Sequence, residues 1–163
     1  MLLLELFNQP VEYKSVPDGY GGTRYEFEIG GKEYHVIVTD GIARTAEIFA
    51  GLHMIADHEA VEASGWFDQP VRYHEFEFAQ VSDSGSYLHH ITGDVANAAQ
   101  VFSTVIKILQ DEVIAPIRGK KDQVVIMSAK ERSRVKLYDR LAKRFGTDVK
   151  KFDGHEVIYA FRP

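Results

Sequence analysis

Apolar and polar residues alternate over much of the first half of the chain. "TRYEFEIG" sets Tyr25, Phe27 and Ile29 on one side and Glu26 and Glu28 on the other, the pattern of a half-buried strand. Gly30-Gly31 predicts a tight hairpin into "KEYHVIVTD", where Tyr34, Val36 and Val38 share a face. "PVEYKSVP" (10–17) reads as a short strand and "DGYGG" (18–22) as a turn. The period then lengthens. In 41–65, Ile42, Ala46, Phe49 and His53 recur at helical spacing, which predicts one or two helices with a break near Gly51, followed by Trp66 and Phe67 in a loop. "PVRYHEFEFAQV" (70–81) is a strand with a phase slip. Val71 and Tyr73 fall on one parity and Phe76 and Phe78 on the other, and a bulge near His74–Glu75 would return all four to one face. "SDSG" is a further hairpin turn and "SYLHHIT" a further strand.

The second half is dominated by helical periods. Val95, Ala98, Ala99, Phe102, Val105, Ile106, Leu109 and Val113 form a broad stripe, widened by Val101 and Ile108, so 95–115 reads as a central helix ended by Pro116. "QVVIMSA" (123–129) is apolar without alternation, as in a strand covered on both faces. "KERSRVKLYDRLAKRF" (130–145) is a basic amphipathic helix with Val135, Tyr138, Leu141, Ala142 and Phe145 inward and Gly146 as its stop; "HEVIYAFRP" closes as a strand. An antiparallel meander followed by helix, strand, helix and strand predicts a mixed α/β (α+β) domain. The crossover through 95–115 predicts that 86–91 and 123–129 run parallel.

A length of 163 residues suits one domain with a real core. The chain has no cysteine, which removes disulfides, thiolate nucleophiles and cysteine zinc sites. "MLLLELF" is short for a signal peptide and has no basic flank, and no segment approaches the roughly 20 apolar residues of a membrane span. The expectation is a soluble, non-secreted protein with no membrane partner. The net charge of −5 conceals an asymmetry: 118–151 holds 12 Lys or Arg against 4 acids, and the remainder 7 bases against 20 acids. That basic strip is either a solvated helix surface or a site for an anion, nucleic acid included.

Residue type and spacing single out several candidate sites. His53, Asp57 and His58 lie near one another but lack H-E-x-x-H, and His89 and His90 point to opposite faces of a strand, so no metal is expected. There is no G-x-S-x-G elbow or Walker loop. The stretch "HHITGDVANAAQVFST" (89–104) joins a strand end to a glycine and a helix start, a geometry that can hold phosphate. Asp94 there can instead cap the helix, worth about 1 kcal/mol.

From about residue 70 onward the element order resembles the GNAT acetyltransferase fold. "VVIMSAKERSRVKLYDRLAKRFG" is similar to that family's strand and following helix with an "LYxKxGF" signature, standing here as Leu137, Tyr138, Asp139 and Arg140 with Phe145 and Gly146 after it. Most of the chain also resembles a group of small tailed-phage proteins through "LFNQPVEY", "ITGDVANAAQVFSTVI" and "RVKLYDRLAKRF", with 41–68 as a helical insertion. The resemblance implies a single GNAT-like domain over 1–163, a mostly antiparallel sheet with a central helix and a parallel strand pair, and a place in the host cytoplasm or the virion. It implies acetyl-CoA held at Thr92, Gly93 and Asp94, with Lys130, Arg132 and Arg134 beside its phosphates. Tyr138 would then protonate the departing thiolate, and Glu75 or His74 would serve as base. Against the family's Q/R-x-x-G-x-G/A turn only Gly93 matches: His90 and Val95 replace the flanking residues, and Asp94 brings a negative charge to the phosphate position. Tyr138 also lies on the apolar stripe of its helix and can simply pack there. The leading expectation is a non-catalytic GNAT-like phage protein that binds a host or virion protein without a cofactor. The alternative is an acyl-CoA-dependent N-acyltransferase acting on an amine.

Overall fold

A computed structural model describes residues 9–19, 21–88, 95–129 and 131–163. The strands are β1 (Lys14–Pro17), β2 (Gly22–Ile29), β3 (Lys32–Ala43), β4 (Val71–Val81), β5 (Tyr87–Leu88), β6 (Gln123–Ala129), β7 (Asp148–Asp153) and β8 (Val157–Arg162). The helices are α1 (Ala46–Leu52), α2 (His58–Ala63), α3 (Val95–Ile108), a π-helical stretch (Leu109–Ile114), α4 (Ala115–Ile117) and α5 (Arg132–Phe145). The strands pair in the order β1-β2-β3-β4-β6-β8-β7, with β5 on β4. One pair, β4 with β6, is parallel; the other registers described are antiparallel. The mixed α/β class is as the sequence predicts.

The chain forms two compact units. The first comprises the described parts of Met1–Thr39 and Glu77–Val113. Its β2–β3 hairpin closes at Ile29↔Lys32 over Gly30 and Gly31, both at positive φ, as a two-residue turn requires. Tyr25, Phe27, Ile29, Tyr34, Val36 and Val38 are all buried, as their alternation predicts. In α3 the deepest positions are Val101, Thr104, Val105 and Ile108, while Ala98, Ala99, Phe102 and Ile106 are half-buried. Phe102 meets Phe78 of β4 edge-on at 6.0 Å.

The second unit is Asp40–Phe76 with Ile114–Pro163. Phe49, Ile55, Val61, Trp66, Phe67 and Val71 pack with Val124, Ile126, Phe152 and Ile158 in one apolar cluster. All of β6 except Gln123 and Ser128 is buried, as an unalternated apolar strand should be. Thr45 caps α1 by accepting from Ile48, and Asp57 caps α2 by accepting from Ala60. Glycine ends α5 because of space rather than φ: a Cβ on Gly146 would stand 2.6 Å from the Ala142 carbonyl and 2.9 Å from the Phe161 Cβ.

Several expectations need correction. The parallel partner of β6 is β4, not 86–91; the described part of that segment, β5, pairs antiparallel with β4. β3 runs on to Ala43, so Ile42 belongs to a strand and is exposed. The 41–65 stretch forms two helices with a break at 53–57, just after Gly51, near where the sequence predicts it. Pro116 does not stop the helical run, because the π-helical stretch leads into α4 with Pro116 in its first turn, where no amide donor is needed. β7 was missed, since Lys150 and Lys151 interrupt its alternation. Val71 and Tyr73 do not share a cluster with Phe78: the first two join Phe49 and Ile126, while Phe78 turns to Phe102.

Candidate functional site

Register brings the polar site of the second unit together. The parallel ladder pairs Tyr73 with Val124 and Glu75 with Ile126, so these four side chains share one face of the sheet. Ser128 follows two residues after Ile126 on that face and pairs with Ile158 of β8. Glu75, Ser128 and Ile158 therefore line a cavity of about 190 Å³, completed by Leu52 at the end of α1, by His53 and Met54 just after it and by His155 and Glu156 before β8.

The cavity wall is held by a close backbone approach. Met54 adopts φ 53, uncommon for a residue with a side chain. The His155 amide donates to the Met54 carbonyl at 3.3 Å, and a Cβ on Gly154 would come within 2.6 Å of the same oxygen. Only glycine lets the β7–β8 turn lie so near the end of α1. Leu52 and Met54 are 54% and 68% exposed, leaving an apolar rim around the opening.

His53 is the unusual group in this wall. Its ring packs at a tilt against Phe49 at 4.6 Å and meets Tyr73 edge-on at 5.3 Å. Its Nε2 is buried with no hydrogen-bond partner among the described residues. Burial lowers its pKa to about 4, so the ring is neutral at pH 7. Among the described residues the lining thus combines two carboxylates, a neutral imidazole, a second histidine and a serine, and neither lysine nor arginine.

The candidate residues named from sequence fall in different places. Glu75 lines the cavity. Tyr138 is fully buried within the inward face of α5 and does not line it. Arg132 is exposed and Arg134 buried, and two residues on a helix are about 200° apart, so the pair does not form one phosphate-binding strip. Thr92, Gly93, Asp94 and Lys130 lie outside the described residues. His74, the other base candidate, is tied to Asp40 at 2.6 Å and Gln123 at 2.8 Å and is not in the cavity lining. Of the other histidine constellation, Asp57 serves as a cap and His58 is exposed at the start of α2. Sequence reasoning flagged Glu75 through the parity slip but missed Ser128, His155 and Glu156, which only the strand register brings near.

Among the described residues one grouping has metal-ligand geometry: Glu26, Glu33 and His35, with their ligand atoms within 4.8 Å. It is already internally matched. Arg24 lies 2.7 Å and Lys14 3.4 Å from Glu26, Glu33 lies 2.6 Å from His35 Nε2, and the Tyr87 hydroxyl meets Nδ1 at 2.9 Å. Burial would raise the Glu26 carboxyl, but the hydrogen bonds from Arg24 and Lys14 outweigh it and hold the carboxyl below its ordinary value.

The fold and site define a mixed α/β protein with one parallel strand pair and a small acidic cavity at the end of that pair. The sequence matches no family model, no curated protein and no solved structure. No helix among the described residues is long and apolar enough to cross a membrane.

Proposed function

We propose that this chain is a GNAT-like protein that binds a protein partner, of the host or of the virion, by taking one partner side chain into the Glu75 cavity. The observation that carries this reading is the cavity's size and lining. Sites for drug-sized or cofactor-sized molecules span about 300–1,000 Å³, and this one holds about 190 Å³. That volume suits a single side chain better than a CoA thioester. Glu75 and Glu156 complement the charge of a lysine or arginine tip, and Leu52, Met54 and Ile158 suit its aliphatic stem. The GNAT-like part rests on the single parallel pair in an otherwise antiparallel sheet, with the long helix α3 in the connection between the two strands. The test is affinity capture from host lysate and from dissociated virions, comparing the wild type with Leu52→Asp and Glu75→Gln. A partner held by the wild type and lost by both folded variants is expected. Capture of nothing above control, or capture indifferent to both changes, overturns the reading.

A second reading, acyl transfer from acyl-CoA to an amine, is favoured by one observation. Glu75 stands in a cavity at the end of the parallel ladder, where a carboxylate could take the proton of an ammonium group. The full burial of Tyr138 counts against that residue as the proton donor to the thiolate. Calorimetric titration with acetyl-CoA separates the readings: binding heat would favour transfer, and its absence at high micromolar ligand would favour the partner.

A further inference from the structure

We infer that the outward face of α5 binds nucleic acid through its phosphates, independently of base sequence. Arg132, Lys136, Arg140, Lys143 and Arg144 are all exposed. At 3.6 residues per turn they fall within an arc of about 120° and extend about 18 Å along the axis. No acidic residue lies in that arc. Asp139, at its edge, bonds Lys143 at 2.8 Å, while Arg132, Lys136 and Arg140 have no ion pair among the described residues. The opposite side of the helix carries buried Tyr138, Leu141 and Ala142, so the cationic side is left to solvent. Lys151 of β7 adds a further exposed cation, in register with Tyr159 of β8, the strand that packs against α5.

Charge complementarity selects a polyanion, and the absence of apolar residues selects among polyanions. A helix that docks on a membrane surface carries large apolar groups on its docking face; this arc has none. A row of arginine and lysine, with no asparagine or glutamine for adenine edges and no aromatic residue for stacking, matches a face built chiefly on phosphate contact.

The test is fluorescence anisotropy with a labelled duplex and a labelled single strand of mixed sequence, across about 50–200 mM salt. The expected result is binding with a log–log salt slope of about −3 to −4.5, for up to five phosphate contacts. Arg140→Glu and Lys136→Glu should each weaken binding at least tenfold. Lys107→Glu, an equal charge change at an exposed position of α3, should not. The relative affinity of the two probes assigns the preferred form. No binding at the lowest salt, equal weakening by Lys107→Glu, or binding to anionic vesicles but to neither oligonucleotide overturns the inference.

Discussion

Glu75 and Ile126 are the last register pair of the parallel β4–β6 ladder, and β6 continues beyond them to Ala129. That ending places a carboxylate beside Ser128 at the cavity, rather than over a fully covered strand. One step earlier, Tyr73 faces Val124 and turns its ring toward Gly41 of β3. A Cβ on Gly41 would stand 2.2 Å from both the Tyr73 hydroxyl and the ring carbon that bears it.

Gly41→Ala should therefore destabilise the protein by about 1–3 kcal/mol, the usual cost of overpacking. Tyr73 cannot easily retreat, since its ring is packed against His53 and Phe49. The variant should also disturb the His53 ring, visible as a shift of its imidazole resonances. Urea unfolding checks the first effect, and an unchanged midpoint would show that Tyr73 has room to move.

His53 gives the second unit a pH dependence of definite sign. Its pKa is about 4 in the fold against 6.5 for an unperturbed histidine. Between these values the unfolded chain binds more protons, so stability is intact above about pH 6.5 and falls as pH drops toward 4. At about 1.4 kcal/mol per unit, with an allowance for part exposure, the loss is on the order of 2 kcal/mol. His53→Gln should flatten the stability profile between about pH 6.5 and 5. Glu26, whose pKa is lowered, loses its contribution only below the ordinary carboxylate range, so the two effects separate. A profile equally steep in wild type and variant would remove His53 as its cause.

Trp66 is the single tryptophan and a hinge between charges. Its Nε1 donates to Asp148 at 2.8 Å, and the Arg162 guanidinium lies 4.8 Å from its ring centre. Trp66→Phe keeps an aromatic ring but leaves Asp148 without that donor. The expected loss is about 1–2 kcal/mol, read by circular dichroism because the substitution removes the fluorescent probe. Asp148→Asn should cost less, since an amide oxygen still accepts from the indole.

The strands of the first hairpin and the two long helices were legible because one face of each is buried and the period is clean; β6 and β8 were legible as short apolar runs buried on both faces. Other elements were obscured by residues with two meanings. Gly41 reads as a break but serves a close approach to Tyr73 inside β3. Pro116 reads as a stop but fits a first helical turn after a π-helical stretch. Lys150 and Lys151 hide an edge strand that buries only Phe152. The site was less legible than the fold. Glu75 stood out because parity slips beside it, whereas His53, Ser128 and His155 are scattered in sequence and meet only through strand register and the Gly154 turn. His35 shows the same limit: it lies on the polar parity of β3 yet is buried, because Glu33 and Tyr87 satisfy both ring nitrogens.

Tyr34 yields a prediction of the opposite sign. Its ring stacks on Phe27 at 5.4 Å, and its side chain is 1% exposed. The hydroxyl is buried with no hydrogen-bond partner, and burial raises its pKa. A buried donor left unsatisfied costs about 1–3 kcal/mol, and removing it returns part of that cost. Tyr34→Phe preserves the stacked ring and deletes only the stranded oxygen, so the cavity it leaves is smaller than a methyl group. The variant should therefore be as stable as the wild type or more stable by up to about 1 kcal/mol, whereas Phe27→Leu, which breaks the stack, should be less stable. Thermal unfolding of both variants decides the matter: a clear loss of stability in Tyr34→Phe would mean that the hydroxyl is satisfied in solution.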